Sequence, residues 1–243
     1  MKRRLDVALV ERGLVESRAR AQALILAGKV FAGERRLDKA GTAVAEDQPL
    51  EVRGEDHPWV SRGGVKLAHA LDAFAIDPAG VVALDVGAST GGFTDVLLAR
   101  GAARVYAVDV GHGQLAWKLR GDPRVVVLEK TNARHLTARE VPEPVGLVVC
   151  DASFIGLETV LPAPLALAAA GARLVALIKP QFEVGTARIG TGGVVRDEAL
   201  HREVCDRIAA WLPTRGWTVT GLTESPIRGP EGNREFLIAA RRA

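Results

Sequence analysis

The sequence predicts an α/β chain: a doubly wound, seven-stranded sheet domain behind a small α+β domain. Three observations predict it. From residue 81 onward, short apolar runs, mostly rich in valine, alternate with helical segments, the pattern of buried strands joined by crossover helices. The first of these runs leads straight into a glycine-rich turn at residues 87–92, the place where an open sheet of this kind meets a ligand. The first 39 residues hold ten Lys/Arg against five Asp/Glu, a net +5, while the remaining 204 carry −2. The positive charge is therefore gathered in a separate front segment, which suits a polyanionic partner, or else a solvated helix face. Hydrophobic residues make up 48% of the chain and aromatics 5%, so Ala, Val, Leu and Ile fill a sizeable core and disorder is not expected.

The elements follow in order. Leu5, Ala8, Leu9 and Val10 recur at helical spacing, and Gly13 ends that helix. Ser17 caps a second helix over residues 18–27, which Gly28 closes. Ala21, Leu24 and Ile25 give it a buried stripe, with Arg18 and Arg20 on the open side. Short strands around residues 29–31 and 50–52 are joined through Gly33, Gly41 and Pro49. Two helices and small hairpins make a compact α+β module over residues 1–56. Residues 57–60, His-Pro-Trp-Val, read as a linker in which Pro58 stiffens the chain and Trp59 can dock on a neighbouring surface. A domain of residues 61–243 follows, opened by SRGGVKL and a helix that ends near Phe74.

Within that domain the strand runs are 81–86, 104–110, 125–129, 145–151 and 173–179, with two more at 217–223 and 235–240. Leu200, Val204, Ile208 and Leu212 form the stripe of a helix over 197–212, on which His201 and Cys205 read as structural. The most apolar stretch, 160–178, is broken by Pro162, Pro164, Gly171 and Arg173. It reads as a helix, a turn and a buried strand, not a membrane span. The two cysteines and five histidines have no ligand spacing, so neither a metal site nor a disulfide is expected and a reducing cytoplasm is the expected compartment. The basic MKRRLDVAL has no long apolar run behind it, so no export signal is expected.

The turn after the first strand, Asp85-Val86-Gly87-Ala88-Ser89-Thr90-Gly91-Gly92-Phe93-Thr94, is the strand–turn–helix arrangement of a Rossmann-like nucleotide site. Glycines let the backbone approach a ligand, and N–H groups at the helix start face it. The spacing is not that of a dinucleotide site, which leaves a dehydrogenase as a weaker alternative, and the lack of Gly-Lys-Ser/Thr excludes a P-loop. Asp85 at the strand end suits a ligand with a positive amino group, as in S-adenosylmethionine. Asp109 ends the second strand, where a carboxylate accepts ribose hydroxyls, and Asn132 and Ala133 border the expected adenine position.

Strand carboxyl ends line the ligand crevice of such a sheet. Asp151 ends the fourth strand, Lys179 ends the fifth, Glu235 opens the last, and Lys66 lies on the glycine-flanked helix ahead of the sheet. Ionisable residues that follow buried apolar runs are costly unless used. Asp151 is followed by Ala-Ser-Phe rather than Pro-Pro-aromatic, which argues against an exocyclic amine as methyl acceptor. Cys150 is expected to point away from the crevice, which argues against thiolate attack on a pyrimidine ring.

These words carry two resemblances. Residues 4–34, RLDVALVERGLVESRARAQALILAGKVFAGE, resemble the S4 RNA-binding domain, which implies RNA contacts from Arg4, Arg18, Arg20 and Lys29. The order Lys66, Asp151, Lys179, Glu235 resembles the K-D-K-E tetrad of FtsJ-like ribose 2′-O-methyltransferases. SRGGVKL, LDVGASTGGFTD, CDASFIG, LIKPQFE, GGVVRD and GNREFL are similar to the TlyA (hemolysin A) family of ribosomal RNA methyltransferases. The resemblance covers both domains and implies an S-adenosylmethionine-dependent enzyme that methylates a cytidine ribose 2′-hydroxyl of ribosomal RNA. Its partner would be ribosomal RNA or a ribosomal subunit, with neither membrane nor metal.

A ribose hydroxyl is a poor nucleophile near neutral pH and needs a base or a field that favours the alkoxide. Lys179 is the candidate to take the proton, Lys66 to stabilise oxyanion charge, and Asp151 and Glu235 to orient the ammonium groups. Which lysine is the base stays open, as does monomer against homodimer. Residues 183–193, rich in glycine, are expected to form a lid, with Arg188, Arg196 and Arg62 as further RNA contacts. The rival readings are a non-catalytic RNA-binding or ribosome-assembly factor, a small-molecule methyltransferase and a pore-forming hemolysin. The last lacks an amphipathic membrane helix in the sequence.

Overall fold

The computed structural model describes residues 2–15, 17–52, 57–185, 188–229 and 232–243, with Thr191 described in its backbone only. The end of the expected first domain, 53–56, and residues 186–187 of the expected lid lie outside the described residues. The chain divides into two compact units, Met1–Pro58 and Trp59–Ala243.

The first unit runs β1 (Lys2–Arg4), α1 (Leu5–Glu11), α2 (Arg18–Leu26), β2 (Val30–Ala32), β3 (Arg35–Arg36), β4 (Ala43–Ala45) and β5 (Glu51–Val52). Leu5, Leu9, Ala21, Ile25, Val30 and Val44 close its core. The Ser17 hydroxyl accepts the Arg20 N–H at 3.2 Å and starts α2. β1 pairs antiparallel with β4, and β2 lies between β3 and β5. The β1–β4 ribbon gives no apolar signal in the sequence because Lys2, Arg3 and Arg4 all face solvent. Arg12 ties α1 to the end of that ribbon, donating to the Gln48 and Ala45 carbonyls at 2.6 and 2.8 Å.

The second unit opens with α3 (Gly63–Ala73) and then alternates: β6 (Val82–Val86), α4 (Gly92–Ala99), β7 (Arg104–Val108), α5 (Trp117–Arg120) and β8 (Val125–Leu128). β9 (Val145–Cys150), α6 (Leu157–Val160), α7 (Pro162–Ala166), β10 (Ala168–Ile178), α8 (Pro180–Glu183), α9 (Glu198–Trp211), β11 (Trp217–Glu224) and β12 (Phe236–Arg242) complete it. The sheet order is β11-β12-β10-β9-β6-β7-β8. β12 runs antiparallel to both its neighbours, and the other pairings are parallel. The strands are buried on both faces. Leu84, Val86, Val148 and Cys150 join a core with Leu157, Leu161, Ile208 and Trp217, while Ala83, Leu147 and Val149 pack under Leu67, Leu71, Val96 and Leu97. This two-sided burial is why the strand runs read as continuously apolar.

β10 starts five residues earlier than the Val-rich run suggests, with an irregular register between Ala168 and Arg173. The segment Ala-Ala-Ala-Gly-Ala lacks β-branched residues, and Gly171 sits at φ +73°, so nothing local marks it as strand. Trp59 is partly buried in the second unit's core.

Candidate active site

The sheet brings the four expected ionisable residues to one edge. β6, β9 and β10 are in register through Val86↔Cys150 and Cys150↔Ala176. Gly87, Asp151 and Lys179 therefore leave their strands on the same side. β12 enters from that side, because it is antiparallel and pairs Phe236 with Ile178. Glu235 stands one step beyond that pair, opposite Lys179. α3 lays Lys66 over this edge, and the side chains close into two ion pairs: Lys66 Nζ to Glu235 Oε2 at 2.6 Å and Lys179 Nζ to Asp151 Oδ1 at 2.7 Å. Lys179 Nζ also donates to the Ser153 hydroxyl at 2.9 Å and to the Asp151 carbonyl at 3.2 Å. Lys66, Lys179 and Glu235 are buried, and charges in such places persist only when paired.

Beside this edge lies a cavity of about 680 Å³, within the roughly 300–1,000 Å³ of small-molecule sites. Of the residues expected at the cofactor, Gly87, Ser89, Asp109, Asn132 and Ala133 line it, together with Asp151. Gly87 has φ +82°, and a Cβ there would come within 2.9 Å of Ala152 Cα, so bare backbone is required where the turn crosses β9. Asp109 is held in place by two backbone donors, Ser89 N–H to Oδ2 at 2.8 Å and Gly111 N–H to Oδ1 at 2.7 Å. Each of its oxygens keeps a second lone pair for a ligand hydroxyl. Asn132 caps a short 3-10 turn, its Oδ1 accepting the Arg134 N–H at 3.1 Å.

Six other expected cofactor contacts do not line the cavity. Asp85 is fully buried behind the turn, where the Thr94 hydroxyl donates to its Oδ2 at 2.7 Å and Oδ1 has no partner. Burial, reinforced by the charge of Asp151, pushes its carboxyl up to about 7. Ala88 and Phe93 belong to the core under α3. Thr90 and Gly91 form the turn, Thr90 O accepting the Ala116 N–H at 3.2 Å. Gly92 opens α4 and lies so close to α3 that a Cβ would come within 2.8 Å of the Gly64 nitrogen. These residues shape the turn from behind.

One residue on the cavity wall had no signal beyond being a large apolar group in a turn. Phe154 is 89% exposed and sits at φ +64°, a left-handed conformation that a bulky residue rarely adopts. Its ring lies 5.0 Å from that of Phe182, over which Lys179 Nζ stands at 6.0 Å. Cys150, next to Asp151, is buried in the core, and burial pushes its thiol up to about 12, so it offers no thiolate.

The expected RNA contacts fall into three groups. Arg4 and Arg18 both pair with the buried carboxylate of Asp6 at 3.0 Å; Arg20 and Lys29 are half-buried. Arg62 donates to the Arg228 carbonyl at 2.5 Å, and Arg196 is exposed. Arg188 is tied to Glu203 by two hydrogen bonds of 2.6 and 2.5 Å. The expected lid is strapped down at several points. Glu183 pairs with Arg207 at 2.7 Å, and Asn233 donates to the Gly193 carbonyl at 3.0 Å and accepts the Val195 N–H at 2.9 Å. Among the described residues no group of His, Cys, Asp and Glu could hold a metal ion, and no helix is long and apolar enough to cross a membrane.

Comparison with known proteins bears on this arrangement. Residues 59–242 match the FtsJ-like methyltransferase family and residues 3–48 the S4 domain. The 16S/23S rRNA (cytidine-2′-O)-methyltransferase TlyA of Mycobacterium tuberculosis is 52% identical over 239 residues, 98% of this chain and 89% of that protein. A solved structure described as a candidate hemolysin from Streptococcus thermophilus is 41% identical with a TM-score of 0.79, over 100% of this chain and 89% of its own. A solved structure described as a candidate S-adenosylmethionine-dependent methyltransferase from Listeria monocytogenes shares the fold at 12% identity and TM-score 0.57, over 75% of this chain and 100% of its own. The chain belongs to the FtsJ-like methyltransferase family, among the TlyA proteins, with an S4 domain ahead of its methyltransferase domain.

Proposed function

We propose that the chain transfers a methyl group from S-adenosylmethionine to the 2′-hydroxyl of a cytidine ribose in ribosomal RNA, in the cytoplasm. In this reading residues 1–56 bind the RNA, 57–60 link, and 61–243 carry out catalysis. The observation that carries it is the pair of Lys–carboxylate bridges, the buried Lys66–Glu235 and the half-buried Lys179–Asp151, at the edge of a cavity of cofactor size. The relatives named as ribosomal RNA cytidine-2′-O-methyltransferases support the choice of acceptor.

The residues present fit the cofactor. Asp109 offers two oriented acceptors for ribose hydroxyls, the side-chain-free Gly87 lets a ligand lie against backbone, and Asn132 and Ala133 line the far wall. When bound there, S-adenosylmethionine supplies an electrophilic methyl group on a positively charged sulfur. The protein's part is to hold and deprotonate the acceptor. Lys179 Nζ donates to the Asp151 carbonyl and to the Ser153 hydroxyl, and forms an ion pair with Asp151 Oδ1 at 2.7 Å. Exchanging the Ser153 hydroxyl for a ribose hydroxyl costs little and places that oxygen beside the cavity. The acceptor hydroxyl would give up its proton to the Lys179–Asp151 pair, through the Asp151 carboxylate while Lys179 is an ammonium. Lys66, fixed by Glu235, stabilises negative charge on the oxygen from a site shielded from water. Phe154 gives the target base an exposed ring on which to stack. Arg4, Arg18, Arg20, Lys29, Arg62 and Arg196 supply backbone contacts; Arg188 does so only if it leaves Glu203.

The test is transfer of labelled methyl groups to purified bacterial ribosomal subunits, followed by digestion of the RNA to nucleosides. Label in 2′-O-methylcytidine is expected. Label in a base-methylated nucleoside, or no transfer, overturns the reading.

A further inference from the structure

Asp6 gathers five hydrogen-bond donors, and the contacts assumed for RNA binding do not explain it. It is fully buried, one residue into α1. Arg4 grips it as a fork, Nε to Oδ1 at 3.0 Å and Nη2 to Oδ2 at 3.2 Å. Arg18 Nη2 and Gln22 Nε2 both donate to Oδ2 at 3.0 Å, and the Val7 N–H donates to Oδ1 at 3.1 Å. Five donors share two oxygens, two on Oδ1 and three on Oδ2, more than the roughly four lone-pair sites of a carboxylate, so no acceptor site is left over. The Arg4 hydrogen bond, with Gln22 and Arg18 adding to it, outweighs burial and holds the group well below the usual carboxylate range.

The arginines come from different elements, Arg4 from β1 and Arg18 from the first turn of α2, yet one carboxylate brings their guanidinium groups side by side. Both side chains remain more than half exposed, at 56% and 58%. Among the described residues neither has a further hydrogen-bond acceptor, so most of their N–H groups point to solvent. Two guanidinium groups locked at adjacent positions match a tetrahedral anion with several oxygens. A free arginine loses much rotamer freedom when it binds; these two have lost it already.

We propose that Asp6 is a positioning residue that assembles Arg4 and Arg18 into a docking site for one backbone phosphate before RNA arrives. The inference rests on the RNA-binding reading of the first unit and adds to it a buried anion that strengthens the capture of another anion. Simple charge counting predicts the opposite, since Asp6 contributes −1 next to the phosphate. That opposition supplies the test.

Binding of the full chain to ribosomal RNA extracted from bacterial subunits is measured across a range of salt for wild type, Asp6→Asn, Arg4→Ala/Arg18→Ala, and the triple variant. Positioning predicts that Asp6→Asn, although it raises the net charge, weakens binding by about tenfold, the scale of one charge-assisted hydrogen bond. It also predicts a shallower salt slope by about one phosphate, and no further loss when Asp6→Asn is added to the double arginine variant. Tighter or unchanged binding by Asp6→Asn, with the double arginine variant impaired, overturns the positioning role. Unchanged binding by the double arginine variant overturns instead the RNA contacts on which it rests. Should Asp6→Asn fail to fold, Arg4→Lys decides the matter. It keeps the charge but loses the fork on Asp6, so weaker binding supports the proposal and equal binding overturns it.

Discussion

Replacing Asp85 by Asn should remove a loss of stability that wild type suffers as pH rises from about 4 to about 7. Asp85 is fully buried, has one hydrogen-bond donor in Thr94, and leaves Oδ1 without a partner. Burial first, then the nearby charge of Asp151, moves its carboxyl from 3.8 up to about 7. Between pH of about 4 and about 7 the folded chain keeps a proton that the unfolded chain has released, so this group's contribution to stability falls across that window and levels off above it. A shift of about three units corresponds to about 4 kcal/mol. Asparagine keeps the shape and the acceptor for Thr94 but carries no charge. The ligand-free Asp85→Asn variant should match wild type near pH 4 and exceed it above pH 7 by up to about 4 kcal/mol. The assay is urea unfolding at several pH values, followed by the fluorescence of Trp217, which is buried in the same unit. A difference between the two proteins that does not change with pH, or a variant less stable at pH 8, refutes the burial argument.

Two further outcomes are expected. Removing Lys66 alone or Glu235 alone leaves a buried unpaired charge and should cost about 3–5 kcal/mol, whereas the double variant Lys66→Met/Glu235→Leu should cost clearly less than the two singles together; additive losses in urea unfolding would mean that the pair is not coupled. Phe154→Gly relieves a strained φ and should raise stability by about 1 kcal/mol while slowing methyl transfer to RNA without changing cofactor affinity. A variant that loses stability, or keeps full transfer, removes the ring from the account.

The seven strands were legible because burial on both faces writes itself as Val-rich runs; Asp151, Lys179 and Glu235 stood out because each borders such a run, whereas Lys66, on a helix, was picked out by the resemblance to the K-D-K-E order. Their partners were not legible. Lys66 reaches Glu235 only because β12 runs antiparallel beside β10, a long-range fact with no local mark. The glycine turn was found, but which of its residues line the cavity was not, since Asp85 and Phe93 are buried behind it. The β1–β4 ribbon was hidden by its exposed basic side chains, and Asp6 looked like an ordinary acid in a first helical turn. Phe154 needed its backbone angle and exposure to stand out. Arg188 is paired by Glu203 across 15 residues, a contact that loop composition does not predict.

The most direct test of the central claim compares single-turnover methyl transfer with cofactor affinity in Lys179→Ala. If the Lys179–Asp151 pair serves the acceptor oxygen, transfer to ribosomal RNA at saturating cofactor falls by about a hundredfold or more, while the cofactor Kd measured by calorimetry stays within about threefold of wild type, less than one hydrogen bond's worth. A variant that loses the cofactor yet transfers normally once saturated would place Lys179 in the binding of the donor and contradict the account.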